Sequence, residues 1–278
     1  MKKTKIGFIG ISHLGIISSI ASAQKGNEIL CFDKMFIKDK INPSLLIKQF
    51  YEPGLNTFFE KNKKNIYFTD RISSFSDCKI IYISCDIKTN INDESNYKEI
   101  NYYLKLLNKS KIKKSILIIL SQVYPGFTRK IKWNKNKLYY QVETLSFGKA
   151  IKRALNPERI IIGSYNKNIN INHSLKNYLN SFSNNIIHMS YESAELAKIS
   201  INMMLVSNIT MSNLMSSISE RIGAEWKDIV PALKLDRRIG KYSYVLPSMG
   251  ISGGNLNRDI KTSIKLVKKE KKSKKKQN

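Results

Sequence analysis

The chain has 278 residues, of which 42% are hydrophobic, and a formal net charge of +27. This apolar content is ordinary for a globular protein and excludes a wholly disordered chain. No apolar run reaches the roughly 20 residues that a membrane-spanning helix needs, and the N-terminus leads directly into a strand, so we expect neither a membrane span nor a signal peptide. Cys31, Cys78 and Cys85 lie in or beside apolar strand patterns. We therefore expect reduced core cysteines in a cytoplasmic protein and no metal site.

The positive charge is largely a matter of composition, because lysine is used heavily along the whole chain. Residues 265–278 alone hold eight lysines and one glutamate. We interpret this tail as a disordered, solvated segment that binds polyanions weakly and without sequence preference. The basic stretches lack the interleaved aromatic residues of surfaces that bind single-stranded nucleic acid.

The first part of the chain alternates short apolar runs with longer helical or polar stretches. Continuous apolar strands spaced by helix-length segments predict right-handed βαβ crossovers and a doubly wound, Rossmann-type α/β fold with a parallel sheet. The predicted strands are Lys5–Ile9, Glu28–Phe32, 66–68, 80–84, 115–120 and 159–162.

The character of the sequence changes near residue 190. Residues 192–221 contain neither Gly nor Pro and predict one uninterrupted helix of roughly 45 Å. Its Met, Leu and Ile content exceeds what a small domain can cover, which predicts a homodimer through this helix. A second helix is predicted over 225–233 and a glycine-rich loop over 236–259. The predicted domains are a Rossmann-type domain over 1–188, a small helical dimerisation domain over 189–264 and the tail over 265–278.

A dinucleotide-binding pattern follows the first strand, where residues 10–15 read G-I-S-H-L-G and lead into a helix. Gly10 permits the tight turn, Gly15 permits close packing of helix on strand, and the helix N-terminus attracts a pyrophosphate. Ser12 replaces the middle glycine of the usual pattern, so its hydroxymethyl group either weakens binding or adds a donor. His13 is expected to be a loop residue on the solvent side rather than a catalyst.

An acidic residue, Asp33, ends the second strand. A carboxylate there accepts hydrogen bonds from a ribose 2′-OH and favours NAD over NADP, although the adjacent Lys34 leaves that preference open. We predict an NAD site, with the alternative of a Rossmann-like sheet that binds nothing. The predicted cofactor-binding residues are Gly10, Ser12, His13, Leu14, Gly15, Asp33 and Ser121.

Several further motifs together resemble the UDP-glucose/GDP-mannose dehydrogenase family over residues 4–262. In chain order they are Y-E-P-G-L at 51–55, S-Q-V-Y-P-G-F-T at 121–128, V-E at 142–143 with L-N-P-E-R-I at 155–160, E-L-A-K at 195–198, D-R-R-I-G at 236–240 and G-I-S-G-G-N-L-N-R-D at 250–259.

The resemblance implies a two-step, NAD-dependent oxidation of a sugar C6 alcohol to a carboxylate. In the family a cysteine traps the aldehyde as a thiohemiacetal, a lysine and an aspartate position water and stabilise the oxyanion, and a glutamate is the general base. By position, the resemblance assigns Lys198, Asn202, Asp259 and Glu143 to catalysis. It assigns Arg238 and Gly253 to the nucleotide-sugar substrate. A solvated cation at Arg238 and a plain loop carboxylate at Glu143 are equally compatible with the sequence.

The departures from the family pattern lie at reactive positions. Asn255 stands at the position of the cysteine nucleophile, Gln122 at that of a water-binding threonine, and Phe147 at that of a second glutamate. The chain ends shortly after Asp259, so we expect the family's third, UDP-binding domain to be lacking. The sequence thus predicts an NAD-dependent oxidoreductase impaired in the second oxidation, with the sugar left open. The alternatives are a non-catalytic NAD-binding or dimeric interaction protein, and a polyanion-binding protein that acts through its tail.

Overall fold

In this computed structural model the described residues are 3–38, 47–92, 94–110, 112–143, 145–250 and 254–274, and side chains of the last stretch are described for 256–268. The chain forms two compact units, of which the first holds Met1–Lys88 with Asn96–Lys198 and the second holds Thr89–Ser95 with Ile199–Asn278. The division therefore falls after Lys198, inside a long helix, whereas the sequence predicted it after residue 188. The reason is that the first turns of this helix pack on the sheet: the hydroxyl of Tyr191 donates to the carbonyl of Leu138 (2.8 Å).

The first unit is built on an eight-stranded sheet in which the order is β3-β2-β1-β4-β5-β6-β7-β8. All neighbouring strands pair in parallel except β6 and β7, which pair antiparallel. The strands are β1 Lys5–Ile9, β2 Glu28–Phe32, β3 Ile66–Thr69, β4 Ile80–Ile83, β5 Ile116–Ile119, β6 Leu138–Gln141, β7 Ile160–Ser164 and β8 Ile186–Ser190.

The doubly wound, Rossmann-type prediction is confirmed, and so are the six predicted strands. Strands β6 and β8 were not predicted. The four residues of β6 sit among lysines and asparagines, and β8 is a half-exposed edge strand, so neither has the continuous apolar run of a buried strand. The sheet is parallel, as predicted, apart from the antiparallel pair β6–β7.

Helices flank the sheet and make up the second unit. The described helices are α1 His13–Gln24, α2 Lys34–Lys38, α3 Leu55–Asn62, α4 Lys98–Lys109, α5 Ala150–Leu155, α6 His173–Asn180, α7 Tyr191–Arg221, α8 Trp226–Leu235 and α9 Gly254–Lys274. The single long helix is confirmed as α7, and the second predicted helix corresponds to α8. Among the described residues, no helix combines the length and apolarity that crossing a bilayer requires.

Helix α9 corrects two predictions, because the sequence indicated a loop as far as residue 259 and a disordered tail from 265. Leu256, Ile260 and Ile264 recur every four residues, which places them on one helix face. Lysine is also a good helix former, so the basic composition of Lys265 to Lys274 is compatible with the helical backbone found there. Residues 275–278 lie outside the described residues.

The arrangement of β1, β2, β4 and β5 positions the dinucleotide turn. These strands are nearly fully buried and run in parallel, so their carboxyl ends meet at one edge of the sheet. The residues that follow them, Gly10, Asp33, Ser84 and Ser121, therefore come together although they are distant in sequence.

Candidate functional site

The turn between β1 and α1 is shaped by two glycines. Gly10 has φ = +85°, and a Cβ on it would lie 2.6 Å from the backbone nitrogen of Cys85. A Cβ on Gly15 would lie 2.4 Å from the carbonyl oxygen of Gly10. Both positions thus exclude any side chain, and the backbone is left open at the start of α1, where free N–H groups attract an anion. This cradle fits a dinucleotide pyrophosphate.

Ser12 is the N-cap of α1. Its hydroxyl accepts a hydrogen bond from the N–H of Gly15 (3.4 Å) and donates one to the carbonyl of Ser84 (2.8 Å). The single hydroxyl proton is committed to Ser84, so the serine in place of glycine stabilises the helix end rather than offering a further donor. Leu14, also in this turn, is half-buried and packs against the main core.

The carboxylate of Asp33 ties the end of β2 to the turn. Its Oδ2 accepts from the N–H of Ile11 (2.8 Å) and its Oδ1 from that of Met35 (3.0 Å). Each carboxylate oxygen keeps a further lone pair for a ribose hydroxyl. The neighbouring Lys34 lies 3.2 Å from a carboxylate oxygen of Glu99, so its charge is partnered within the protein.

His13 belongs to a cluster around the buried carboxylate of Glu52. Its Nε2 lies 3.6 Å from Oε2 of Glu52, and its ring stacks on Phe147 at 4.8 Å between centroids. The same carboxylate accepts from the N–H groups of Gly148 (3.0 Å) and Ala150 (2.6 Å), which cap α5. Glu52 therefore links the dinucleotide turn to the segment that carries Phe147.

Ser121 follows β5 and is buried. Its hydroxyl donates to the carbonyl of Cys85 (2.6 Å), so it joins the ends of β4 and β5 next to the turn. The nearby Gln122 is half-buried.

Glu143 and Lys198 form an ion pair, with 3.7 Å between Oε2 and Nζ, and both side chains are largely buried. The carboxylate also accepts from the backbone N–H of Leu145. Burial raises the pKa of Glu143 above its ordinary value, and the charge of Lys198 opposes that shift. A buried carboxylate with a raised pKa beside a lysine is suited to accept a proton from an alcohol.

In the second unit, Asn202 and Asp259 meet, with the amide nitrogen donating to Oδ2 of the carboxylate at 2.5 Å. Both residues are buried. Arg258 lies 3.4 Å from the other carboxylate oxygen. The structure therefore pairs two of the predicted catalytic residues, and it places Asp259 on α9 rather than at the end of a loop.

These observations agree with a comparison of the chain with known families. Residues 4–180 match the NAD binding domain of the UDP-glucose/GDP-mannose dehydrogenase family, and residues 192–275 match its central domain. The chain belongs to this family. Its first unit accordingly contains the family's NAD-binding domain, and the cofactor is NAD. Of the predicted alternatives, a sheet that binds nothing is not supported.

Curated relatives have the same pattern over nearly the whole chain. UDP-glucose 6-dehydrogenase TuaD of Bacillus subtilis is 27% identical over 278 residues, which are 95% of this chain and 59% of the relative. UDP-glucose 6-dehydrogenase of Campylobacter jejuni is 30% identical, over 92% of this chain and 66% of the relative. The chain thus spans about three fifths of the length of TuaD.

Solved structures share the fold. A UDP-glucose dehydrogenase from Pyrobaculum islandicum has a TM-score of 0.82 at 18% identity, and the match covers 96% of this chain and 64% of that one. A GDP-mannose dehydrogenase from Pseudomonas aeruginosa has a TM-score of 0.73 at 18% identity, and covers 95% of this chain and 64% of that one.

Arg238, which the resemblance assigned to the substrate, has a local partner. The side chain of Arg238 is exposed and forms an ion pair with Asp236 at 2.6 Å, two residues away. Its backbone N–H donates to the same carboxylate, as in a local turn. Gly253 lies outside the described residues, and so does the side chain of Asn255, whose backbone lies in the first turn of α9.

The sequence analysis missed the roles of two buried glutamates in motifs that it quoted. Glu52 caps α5, as described above. Glu195, on α7, accepts from the N–H groups of Gly126 (2.5 Å) and Thr128 (2.8 Å), and burial raises its pKa. A glutamate inside an otherwise apolar or glycine-containing motif is a signal that could have found both, because carboxylates are seldom buried without partners.

The three thiols of the chain are buried and unpaired by disulfides. Burial raises the pKa of Cys31, Cys78 and Cys85 to about 12 in each case. A thiol of this kind is a poor nucleophile, because the thiolate is the reactive form. Among the described residues there is also no group of three or more His, Cys, Asp and Glu placed to hold a metal ion.

Proposed function

We propose that this chain is an NAD-dependent oxidoreductase that acts on a CH–OH group of a nucleotide sugar and stops at the aldehyde. The observation that carries the proposal is the burial of all three cysteine thiols. The family's second oxidation needs an accessible cysteine, Asn255 stands at that position, and all three cysteines of the chain are buried in the core of the first unit. An amide cannot form a thiohemiacetal.

The first oxidation needs a base and a site for a hydride acceptor. Gly10 and Gly15 would hold the pyrophosphate of NAD, and Asp33 the adenosine ribose; the bound cofactor supplies hydride acceptance. Glu143 takes the proton of the sugar hydroxyl while the C–H hydrogen leaves as hydride, so a carbonyl replaces the alcohol. The raised pKa of Glu143 makes it a stronger base than an exposed glutamate.

Lys198 supports that step. Its ammonium group beside Glu143 stabilises the negative charge that develops on the alcohol oxygen. In the second unit, the hydrogen bond from Asn202 holds Asp259 in a fixed orientation, as needed for a carboxylate that positions water. No thiol is accessible to capture the aldehyde, so the product stays at the two-electron level.

We also propose that the chain forms a homodimer through α7. Met204, Met211 and Met215 on this helix are 64%, 57% and 40% exposed, and Ile218 is 39% exposed. The last three are spaced by four and three residues, which places them on one helix face. An exposed apolar stripe of this kind marks an interface. A sedimentation experiment that gives a monomer at micromolar concentration would contradict the proposal.

The activity is tested by measuring how many NADH molecules are formed for each sugar molecule. The protein is incubated with excess NAD and, separately, UDP-glucose, GDP-mannose and UDP-N-acetylmannosamine, and NADH formed per sugar is measured together with the product mass. We expect one NADH per sugar and an aldehyde or its hydrate. The UDP-glucose 6-dehydrogenase TuaD, assayed with UDP-glucose under the same conditions, is the control. Two NADH per sugar with uronate from this chain would refute the proposal.

A non-catalytic, NAD-binding protein is the second candidate function. The exposed methionine stripe on α7 favours it, since binding a partner through such a surface does not require a nucleophile. It is distinguished by the same assay: saturable NADH binding by fluorescence with no NADH formed from any nucleotide sugar would support this function instead.

A further inference from the structure

A groove lies in the first unit between α4 and residues 124–132, with a volume of about 610 Å³. Three aromatic rings form a cluster on it. Tyr97 stacks on Phe127 at 5.4 Å between centroids, and Tyr124 packs edge-on against both rings at 5.2 and 5.4 Å. Phe127 is buried, whereas the two tyrosines are half-buried and line the groove. The groove thus presents tyrosine rings that are fixed in place.

Four exposed lysines surround these rings. Lys105 and Lys109 lie one turn apart on α4, and Lys130 and Lys132 lie on the facing segment. The ammonium of Lys130 is 5.2 Å from the ring centroid of Tyr124. No carboxylate is found among the described residues that line the groove. The charge on both walls therefore fits an extended anion.

We propose that this groove binds single-stranded nucleic acid, with bases stacked on Tyr97 and Tyr124 and phosphates paired with the lysines. Aromatic platforms inside a positive groove are the usual means of binding single strands without sequence preference. A free nucleotide stacks one base but does not extend its phosphates along both walls. A duplex keeps its base faces covered, so it gains only the charge interaction. None of the groove residues belongs to the dinucleotide turn.

From the sequence, any polyanion binding was expected in the lysine-rich tail, and the basic stretches were found to lack interleaved aromatic residues. The fold brings tyrosine rings and lysines together from separate segments. One wall of the groove supplies Tyr97, Lys105 and Lys109, and the other supplies Tyr124 and Lys130. The proposal is therefore specific to the groove and separable from the overall charge of the chain.

The test uses fluorescence anisotropy of a fluorescein-labelled twelve-residue oligothymidine with the full chain at moderate salt. We expect saturable binding that weakens with rising salt. The double variant Lys105→Glu with Lys109→Glu should lower the affinity more than roughly tenfold. Tyr124→Leu, which leaves the charge unchanged, should lower it about fivefold or more, as loss of one stacked base does.

Two variants with the same change of charge are the controls. Lys61→Glu with Lys64→Glu changes exposed lysines of another surface, and Lys271→Glu with Lys272→Glu changes the basic C-terminal segment. Both should keep the affinity within about twofold. Circular dichroism melting shows that each variant is folded.

Four results would overturn the proposal. They are the absence of saturable binding, an equal loss of affinity in the groove and control variants, equal affinity for a duplex of the same length, and displacement of the strand by ATP at an equal concentration of nucleotide.

Discussion

At the dinucleotide turn, contacts with backbone atoms hold the functional residues in place. Gly10 and Gly15 lie so close to other backbone atoms that neither has room for a Cβ. The carboxylate of Asp33 accepts hydrogen bonds from backbone N–H groups. At the polar pairs, the contacts that join the functional groups are between side chains, since Glu143 faces Lys198 across 3.7 Å and Asn202 reaches Asp259 from another helix.

The dinucleotide turn and the two polar pairs should respond differently to substitution. An added methyl group deforms the turn, because close-packed backbone has nowhere to move. An isosteric change at a polar pair leaves the backbone where it is and removes only a charge or a proton acceptor. Cofactor binding and chemistry should therefore be separable by mutation in this chain.

The largest expected effect is on hydride transfer in Glu143→Gln. An amide cannot accept the alcohol proton, so the rate with NAD and the responsive nucleotide sugar should fall about 10²- to 10⁴-fold, while NADH affinity stays unchanged. Stopped-flow absorbance of NADH measures the rate and fluorescence titration the affinity. Glu158→Gln, which changes an exposed glutamate, is the matched control and should keep the rate. A large loss of NADH affinity in Glu143→Gln would break the separation.

Glu143 should also make the stability of the protein depend on pH. Because burial raises its pKa above 4.5, the folded protein holds this proton more tightly than the unfolded chain. The stability linked to it is present at low pH and is lost as pH rises through the raised pKa. The free energy of unfolding of the wild type, minus that of Glu143→Gln, should decrease as pH rises from about 4.5. Burial also raises the pKa of Glu195, but this residue is present in both proteins, so its contribution cancels in the difference. Urea titrations at several pH values measure this, and a difference that increases with pH would contradict the assignment.

The next largest effect is expected for Gly15→Ala. Its Cβ would lie 2.4 Å from the carbonyl oxygen of Gly10, so the turn must shift; overpacking of this kind costs about 1–3 kcal/mol. NADH affinity should fall more than roughly tenfold, as the N–H groups at the start of α1 move. Gly26→Ala is the control, because Gly26 has φ = +86° and nothing within 4 Å of an added Cβ. It should cost stability through backbone strain, about 1–2 kcal/mol, and keep NADH affinity.

A smaller effect is expected for Glu52→Gln. The carboxylate accepts from two backbone N–H groups and faces His13, and an amide supplies only one acceptor oxygen. Leaving a buried N–H without a partner costs about 1–3 kcal/mol. Urea unfolding should show this loss in Glu52→Gln. In Glu60→Gln, which changes an exposed pair with Lys63, the loss should stay below about 1 kcal/mol. Equal losses in the two variants would show that the Glu52 cluster is not a stabilising element.

The smallest effect is expected for Arg238→Ala. The side chain is exposed and pairs with Asp236 in its own turn, so neither Tm nor NADH affinity should change. Differential scanning fluorimetry and fluorescence titration measure both. If Arg238 contacts the sugar nucleotide, KM rises while Tm stays constant; a clear drop in Tm would show instead that its role is structural.

The sequence alone determined the fold class, the strand β1 with its glycine turn, Asp33 and the long helix α7. These are signals local in sequence: a continuous apolar run, a glycine at a fixed offset, and a stretch without Gly or Pro each restrict the backbone directly. Motif order gave the family for the same reason, since each motif is a contiguous string.

Tertiary structure decided the rest. Strand β6 has too few apolar residues to be recognised until β5 and β7 flank it, and its antiparallel pairing with β7 depends on the path of the chain between them. The cap that Glu52 makes on α5 and the aromatic, lysine-lined groove each join segments that are far apart in the chain. Such contacts have no signature in a single segment, because burial and the neighbours of a side chain exist only once the chain has folded.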